Sequence, residues 1–403
     1  MRKKAEPINE KKILDLVKRY ERSRTGQPLF IIDHQIIKNN YERFRENFPR
    51  IQVYYAIKAN SEPAIIRTLY RLGSSFDAAS IPEFDKIMHL LDDLNEEQIK
   101  EFVYDKVIFA NTTKSRQILE HTKPYVPLMT FDNPDELEKI KKYCDCAGVM
   151  LRVKVPDKGS MVEMAKKFGV TPEEGIGLIE KAHDLGLIVE GLSFHVGSQC
   201  VDFINYVDAL EMAHGIFKKV EERGYKIGRR DNKKKILDIG GGFPAEYNSS
   251  VPTIEKLAET INGKIDELFP PEKYEIAAEP GRFMVGNAAT LILTIIGKSK
   301  RDEKRFYHFN DGLYHTLSGI FFDHCHYDFV CLEKDKNKGK LEECILAGQT
   351  CDSFDTVPYP VSLPGNLDID DTLVVPNAGA YTTGSSSHFN GFTGAKIISI
   401  NLG

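Results

Sequence analysis

Through the first 280 residues, short apolar runs alternate with segments whose apolar positions recur every three to four residues. The runs at 53–57, 74–77, 107–110, 128–131, 149–153, 189–195, 236–239 and 275–278 read as strands. The segments 62–72, 115–121, 134–144, 172–185, 203–223 and 253–268 read as helices, many with Ser, Thr, Asp or Asn near the start. An additional short helix is expected over 96–102. Eight strands, each followed by a crossover helix, are the period of a closed parallel barrel.

After about Met284 the rhythm changes. The runs 291–296, 306–309, 329–332, 344–347, 372–375 and 396–400 are short and β-rich, with no helical pattern between them, and predict an antiparallel β-domain. Residues 28–32 read as one more strand, preceded by a helix over 9–20, and 334–340 as a charged hairpin or loop. The expected fold is therefore α/β: a (β/α)8 TIM-type barrel over 41–284 and a C-terminal β-domain, sandwich- or barrel-like, over 285–403. Residues 1–40 pack with the β-domain and join the two.

Composition narrows the function classes. Of 403 residues, 41% are hydrophobic and 28% charged, enough for a sizeable core. The net charge of −5 argues against a broad nucleic-acid face, and no apolar run reaches the roughly 18 residues of a membrane span. The basic start, Met1-Arg-Lys-Lys-Ala-Glu, lacks the apolar stretch of a secretion signal. Seven cysteines (144, 146, 200, 325, 331, 344 and 351) are odd in number and dispersed, so reduced thiols in the cytoplasm are expected. No metal site is expected. Cys144-Asp-Cys146 has no companion Cys/His pair, and in Asp323-His-Cys-His326, read as a strand, Asp323 points away from the two histidines.

Polar and glycine residues recur where the barrel strands end. Lys58 follows the first strand, Asp77 the second, Arg152 lies in the fifth and His195 ends the sixth. Gly240, Gly241 and Gly242 end the seventh, and Glu279 the eighth. In a parallel barrel these positions converge on one face, which is where such enzymes place their sites. Each has a plain alternative. Lys58 could extend to the rim or be a Schiff-base lysine; the glycines could be a tight turn or a phosphate cradle; His195 could be a core histidine. Glu279, after Ile-Ala-Ala, needs a positive partner: Arg282 or a protonated ring nitrogen of a ligand. Cys351 stands beside two carboxylates, Asp352 and Asp355, which suits a proton donor better than a thiolate nucleophile. Together the set names the parts that pyridoxal 5'-phosphate needs from a protein.

From about Pro28 to Phe392 the chain resembles the barrel-fold (fold type III) pyridoxal-phosphate decarboxylases of basic amino acids. The motifs are Tyr55-Ala-Ile-Lys-Ala-Asn60, Phe76-Asp-Ala-Ala-Ser80, Phe194-His-Val-Gly-Ser198, Asp238-Ile-Gly-Gly-Gly-Phe-Pro244, Glu279-Pro-Gly-Arg282, Cys351-Asp-Ser-Phe-Asp355 and Ala378-Gly-Ala-Tyr-Thr382. Asn310-Asp-Gly-Leu-Tyr314, Phe322-Asp-His324 and Phe389-Asn-Gly-Phe392 draw the likeness toward ornithine and lysine decarboxylases.

The resemblance implies a role for each residue. Lys58 holds the cofactor as a Schiff base, His195 stacks on its ring, and Glu279 pairs with the ring nitrogen. Ser198, Gly240, Gly241, Gly242, Gly281, Arg282 and Tyr381 contact the cofactor and its phosphate, with Asp77 and Arg152 orienting lysine and ring. Cys351 protonates the carbanion, and Phe322, Asp323 and Asp352 receive the substrate's distal ammonium. A stretch at 155–168 resembles a mobile lid. It also implies a homodimer in which the 351–352 loop enters the partner's barrel. The implied reaction is L-ornithine to putrescine, with L-lysine to cadaverine as a co-activity, in polyamine synthesis. Diaminopimelate or arginine decarboxylation, a non-catalytic regulatory homologue and a racemase stay open. Gln199, Phe322, Gln349, Ser353 and Asn377 depart from the ornithine-specific pattern.

Overall fold

The computed structural model describes residues 13, 15, 16, 26–158, 160–162, 166–247, 251–332, 336 and 339–402. Most of the helix expected over 9–20 and of the loop expected over 334–340 lies outside them. The described residues form two compact units: Asn40–Met284, and the residues before Asn40 together with those from Val285 onward.

In the first unit, eight parallel strands close into a barrel: Ile51–Ala56, Ser75–Asp77, Val107–Phe109, Leu128–Phe131, Gly148–Arg152, Ile188–Ser193, Lys235–Asp238 and Tyr274–Ala278. Below they are the first to the eighth barrel strand. The eighth pairs with the first, Ile276 opposite Ile51, which completes the ring. Tyr54, Ile108, Leu128, Met150, Ile236 and Ala277 from six strands form one buried cluster. Burial of strands in such a sheet explains why the sequence shows near-continuous apolar runs instead of strict alternation.

Helix starts follow the capping residues. Ser115, Asn133 and Thr171 each accept a backbone N–H three residues on, and Asn95 with Gln98 forms a reciprocal capping box. The helix expected to end at 102 runs over Glu96–Lys106 and straight into the third strand. A helix over Ile81–Met88, capped by Ser80, is not foreseen. Its Pro82 reads as a breaker but lies in the first turn, where no intrahelical N–H is lost. Within 155–168, the stretch read as a lid, Ser160–Val162 pairs antiparallel with Ser198–Cys200. Ser160 Oγ also donates to the Val196 carbonyl at 2.6 Å.

The second unit is built on an eight-stranded sheet. Its strands are Leu29–Asp33, Ala289–Arg301, Lys304–Phe309, Val330–Cys331, Leu341–Ala347, Val361–Pro364, Thr372–Val375 and Lys396–Ile400. It is mostly antiparallel, in line with expectation, but two pairs depart from it: Leu29–Asp33 runs parallel to Lys396–Ile400, and Lys304–Phe309 parallel to Leu341–Ala347. Both pairs are joined by connections far longer than a hairpin, the condition for parallel pairing. The first half of Ala289–Arg301 pairs with Leu29–Asp33 and Thr372–Val375, and its second half with Lys304–Phe309. Its register breaks between Ile295 and Gly297, a bulge that lets one strand serve two parts of the sheet. Val361–Pro364 is missed by the sequence reading because prolines flank it; it is an edge strand, where proline is tolerated. Among the described residues no helix is long and apolar enough to cross a membrane.

Candidate active site

The C-terminal end of the barrel gathers the polar residues that the strand ends predict. The first strand stops at Ala56, and a single 3-10 turn, Ile57–Ala59, carries Lys58 beyond it. Lys58 Nζ lies 2.5 Å from Asp77 Oδ2; the lysine side chain is 39% exposed and the aspartate 2%. Burial of only the acid means that the amine does not simply extend to solvent: a desolvated carboxylate holds it at the rim. Asp77 Oδ1 also accepts the Ala110 N–H at 3.4 Å, which ties it to the end of the third strand.

His195 leaves the sixth strand with its Nδ1 accepting the Gly197 N–H at 3.0 Å, so a neutral ring carries its proton on Nε2. Burial first, then the Arg152 and Lys58 charges, holds its pKa well below the ordinary histidine range. The ring is therefore neutral at neutral pH. A Cβ on Gly241 would stand 2.9 Å from His195 Nε2 and 2.8 Å from the Glu279 carbonyl oxygen. One on Gly281 would stand 2.8 Å from the Ala59 Cβ. Glycine at 241 and 281 thus keeps backbone close to the two groups that flank the rim.

Glu279 and Asp238 are both buried, and their carboxyl groups interact with each other. Burial, then the neighbouring Asp238 and Asp77 charges, raises Glu279 well above the usual carboxyl range, and burial raises Asp238 too. Two acids so placed hold a proton between them. Asp238 also accepts the Gly240 N–H at 2.8 Å, forming the local turn that starts the glycine loop. Its role was not assigned from sequence, although an Asp two residues before a glycine at a strand end is the signal for such a turn.

Arg282 reaches away from Glu279 to other partners. Beyond the Pro280-Gly281 turn it begins a short helix, Arg282–Val285, and is 3% exposed. Its Nη2 donates to Ser198 Oγ at 3.0 Å and its Nη1 to the Tyr247 hydroxyl at 3.4 Å. Gln199, one of the departures from the family pattern, has a structural use: its side-chain amide bonds both backbone groups of Ala245, at 2.9 Å each, and anchors the chain after the glycine loop. Arg152 lies over the Phe168 ring, 5.1 Å from its centroid.

The remaining predicted site residues lie in the second unit. Asp323 does not lie on the strand expected for 323–326 but caps the short helix Gly319–Phe322. It is 8% exposed, and the Cys325 thiol donates to its Oδ2 at 3.4 Å. Phe322 is exposed and meets Phe321 edge-on at 5.1 Å, and Phe321 meets Phe354 at 5.0 Å. Tyr381 adopts the left-handed backbone conformation, φ +55°.

Cys351 is exposed, its N–H donating to Asn390 Oδ1 at 3.1 Å. Asp352 Oδ2 accepts the Tyr314 hydroxyl at 2.6 Å, a bond that lowers the Asp352 pKa. Asp355, read from sequence as a second carboxylate acting on the thiol, has another use. It is 1% exposed and accepts the Leu313 N–H at 2.7 Å and the Thr350 hydroxyl at 2.8 Å. A Cβ at Gly312 or Gly348 would strike it, at 2.3 and 2.2 Å. Asp355 builds the loop that presents Cys351 and Asp352.

Residues 34–286 match the family described as "Pyridoxal-dependent decarboxylase, pyridoxal binding domain". The chain belongs to the pyridoxal-dependent decarboxylases. It is 34% identical to the lysine/ornithine decarboxylase of Selenomonas ruminantium, covering 97% of this chain and 93% of that one. It is 33% identical to the ornithine decarboxylase of Schizosaccharomyces pombe, over 92% of this chain and 82% of that one. The arginine decarboxylase of Paramecium bursaria Chlorella virus superposes with a TM-score of 0.88 at 28% identity, over 97% of this chain and all of the other. The protein is thus a carboxy-lyase for basic amino acids of the ornithine, lysine or arginine type, and its cofactor is pyridoxal 5'-phosphate.

The barrel residues fit that cofactor. A cationic ring N–H suits the acid pair at Glu279, and a flat ring suits the neutral His195 that lies flush against Gly241. A phosphate dianion suits buried Arg282, its Ser198 hydroxyl and the glycine loop.

Proposed function

We propose that this enzyme decarboxylates L-ornithine to putrescine and also accepts L-lysine, giving cadaverine, as a step in polyamine synthesis. The observation that carries the reading is the Lys58–Asp77 pair at the barrel rim, with neutral His195 and the Glu279–Asp238 acid pair among the same strand ends. Lys58 is the amine that anchors the cofactor, and Asp77 keeps that amine oriented. The Glu279–Asp238 pair, which shares one proton, carries the single negative charge that answers a protonated ring nitrogen. Bound pyridoxal phosphate supplies the electron sink for the pair released from the breaking carbon–carboxylate bond. Arg282, Ser198 and residues 240–242 hold the phosphate, with Tyr381 and Gly281 as further contacts; burial, and after it the Arg152 charge, keeps His195 neutral.

Cys351 delivers the proton to the α-carbon, a task that suits an exposed thiol on a well-supported loop. Asp323 and Asp352 receive the distal ammonium and Phe322 lines its approach. Two carboxylates for one cation favour a plain diamine precursor over a substrate with a distal carboxylate. Ornithine and lysine differ by one methylene, about 0.8 kcal/mol of burial, so both are expected to be turned over. We assign the working form to a homodimer in which the 351–352 loop of each copy serves the other's barrel. All seven cysteines are free thiols, which suits the cytoplasm.

Steady-state comparison of ornithine, lysine, arginine and diaminopimelate tests the substrate assignment. The expected order places ornithine and lysine within about 200-fold of each other and well above the rest. Diaminopimelate as the best substrate would overturn the role given to Asp352. Arginine is the second reading, favoured by the 0.88 TM-score to the viral enzyme, and agmatine as the main product would establish it. Mixing inactive Lys58→Arg and Cys351→Ala chains tests the shared site: random re-pairing should restore about a quarter of the original activity, and none if each site uses one chain.

A further inference from the structure

Outside the decarboxylase site, one side-chain cluster has chemistry that the reaction does not use. Cys144 ends the helix Pro134–Tyr143, its N–H closing on the Ile140 carbonyl at 2.7 Å. The Ala147 N–H then returns to the Cys144 carbonyl at 2.9 Å, so 144–147 is a hydrogen-bonded turn. Cys144 and Cys146 are the first and third residues of that turn, which brings their thiols within interaction range of each other. Two residues so folded keep their Cα atoms within the roughly 4.4–6.8 Å that a disulfide spans. Cys144 is fully buried, whereas Cys146 is half-exposed.

The surroundings make the two sulfurs unequal. Arg230 Nη2 donates to the Cys146 carbonyl, which brings a guanidinium against the turn, and Lys123 Nζ pairs with Asp145 at 2.9 Å. The neighbouring Cys144 thiol, and after it the Arg230 charge, lower the Cys146 pKa to about 6 against the opposing effect of burial. The same contact and burial raise Cys144. The Cys146 thiol donates to the Lys123 carbonyl at 3.2 Å, a bond it gives up on ionising. The arrangement is an attacking sulfur at the surface with a resolving sulfur behind it.

We propose that Cys144 and Cys146 form a thiol–disulfide exchange site, closing reversibly to an intramolecular disulfide with low-molecular-weight disulfides such as glutathione disulfide. Cys146 attacks one glutathione sulfur, forming a mixed disulfide and releasing one glutathione thiolate. Cys144 then attacks Cys146 Sγ; a second glutathione leaves and takes up the Cys144 proton. Two protein thiols are oxidised and one glutathione disulfide is reduced to two glutathiones, so electrons and protons balance. The turn lies at the N-terminal end of the fifth barrel strand, opposite the end that carries Lys58, so closure should leave decarboxylation unchanged.

The test incubates the holoenzyme in glutathione redox buffers, blocks the remaining thiols and maps peptides by mass. The expected result is a species about 2 Da lighter on the 144–146 peptide, reversed by reduced glutathione, while Cys200, Cys325, Cys331 and Cys344 stay alkylatable on unfolding. Cys146→Ser should abolish it, and Cys144→Ser should stop at a glutathione adduct on Cys146. Alkylation of Cys146 should titrate near pH 6 in the parent and at least tenfold slower at that pH in Cys144→Ser. The inference is overturned if glutathione disulfide modifies Cys351 alone, or if Cys146 alkylates at the same rate with and without Cys144.

Discussion

The two ends of the barrel both bury charge, and they handle it in opposite ways. At the N-terminal end, Arg229 is 2% exposed and lies among Glu190, Glu275, Asp105 and Asp231, at 3.3–3.9 Å. Its Nη2 donates to the Tyr104 carbonyl at 2.8 Å, and its guanidinium stacks on the Tyr104 ring at 4.3 Å. That charge is neutralised wholly by the protein. At the C-terminal end, Asp238 and Glu279 are buried against each other, and the Lys58 amine pairs with Asp77 at the partly open rim. Charge that the protein neutralises by itself stabilises a fold. Charge left unbalanced until a ligand arrives binds and reacts.

The largest effect that sharpens this contrast is at the rim. Lys58→Arg keeps a cation against Asp77 but removes the amine chemistry; carbon dioxide release should fall at least about 1000-fold, with thermal stability nearly unchanged. Appreciable turnover in that variant would break the contrast. Arg229→Met is the mirror experiment. Removing one partner from a buried ionic cluster should cost about 3–5 kcal/mol in urea unfolding, while kcat of the folded protein stays the same.

A third test uses pH. Neither Glu190 oxygen has a hydrogen-bond partner among the described residues, and burial pushes its pKa up to about 7 despite Arg229 and Arg230. The native state therefore holds this proton to higher pH than the unfolded chain does. The advantage is full below the ordinary pKa of 4.5 and is lost as pH rises toward 7. Glu190→Gln should remove about 2.5 kcal/mol of decline in unfolding free energy between pH 5 and pH 8 relative to the parent. An identical slope in both proteins would count against it. The smallest effect is Ser198→Ala, which removes one hydroxyl from Arg282: cofactor retention should weaken about fivefold by equilibrium dialysis, with kcat at saturating cofactor preserved.

The barrel strands and the residues just past them are legible in the chain because both signals are local. An apolar run followed at once by Lys58, Asp77, His195 or Glu279 marks where a strand emerges from the core. Partnerships between distant residues are not legible. Arg282 stands three residues from Glu279 yet reaches Ser198 and Tyr247, because the Pro280-Gly281 turn redirects the chain. Asp355 sits four residues from Cys351 yet points into the loop base, because Gly312 and Gly348 leave it room. The Asp323–His326 segment looks like a strand by its alternation, yet follows a short helix, because helix Gly319–Phe322 is too short to show a period.

The order of residues alone determined the eight barrel strands, their crossover helices, the β-rich second unit and the identity of the groups at the strand ends. These depend on burial periodicity and capping, which each segment satisfies within a few residues of itself. Only tertiary structure decided which acid shares a proton with Glu279, which carboxylate holds Lys58, and which strands of the second unit run parallel. Those outcomes depend on distances across strands far apart in the chain, where a shift of an ångström decides whether two charges pair, repel or exchange a proton.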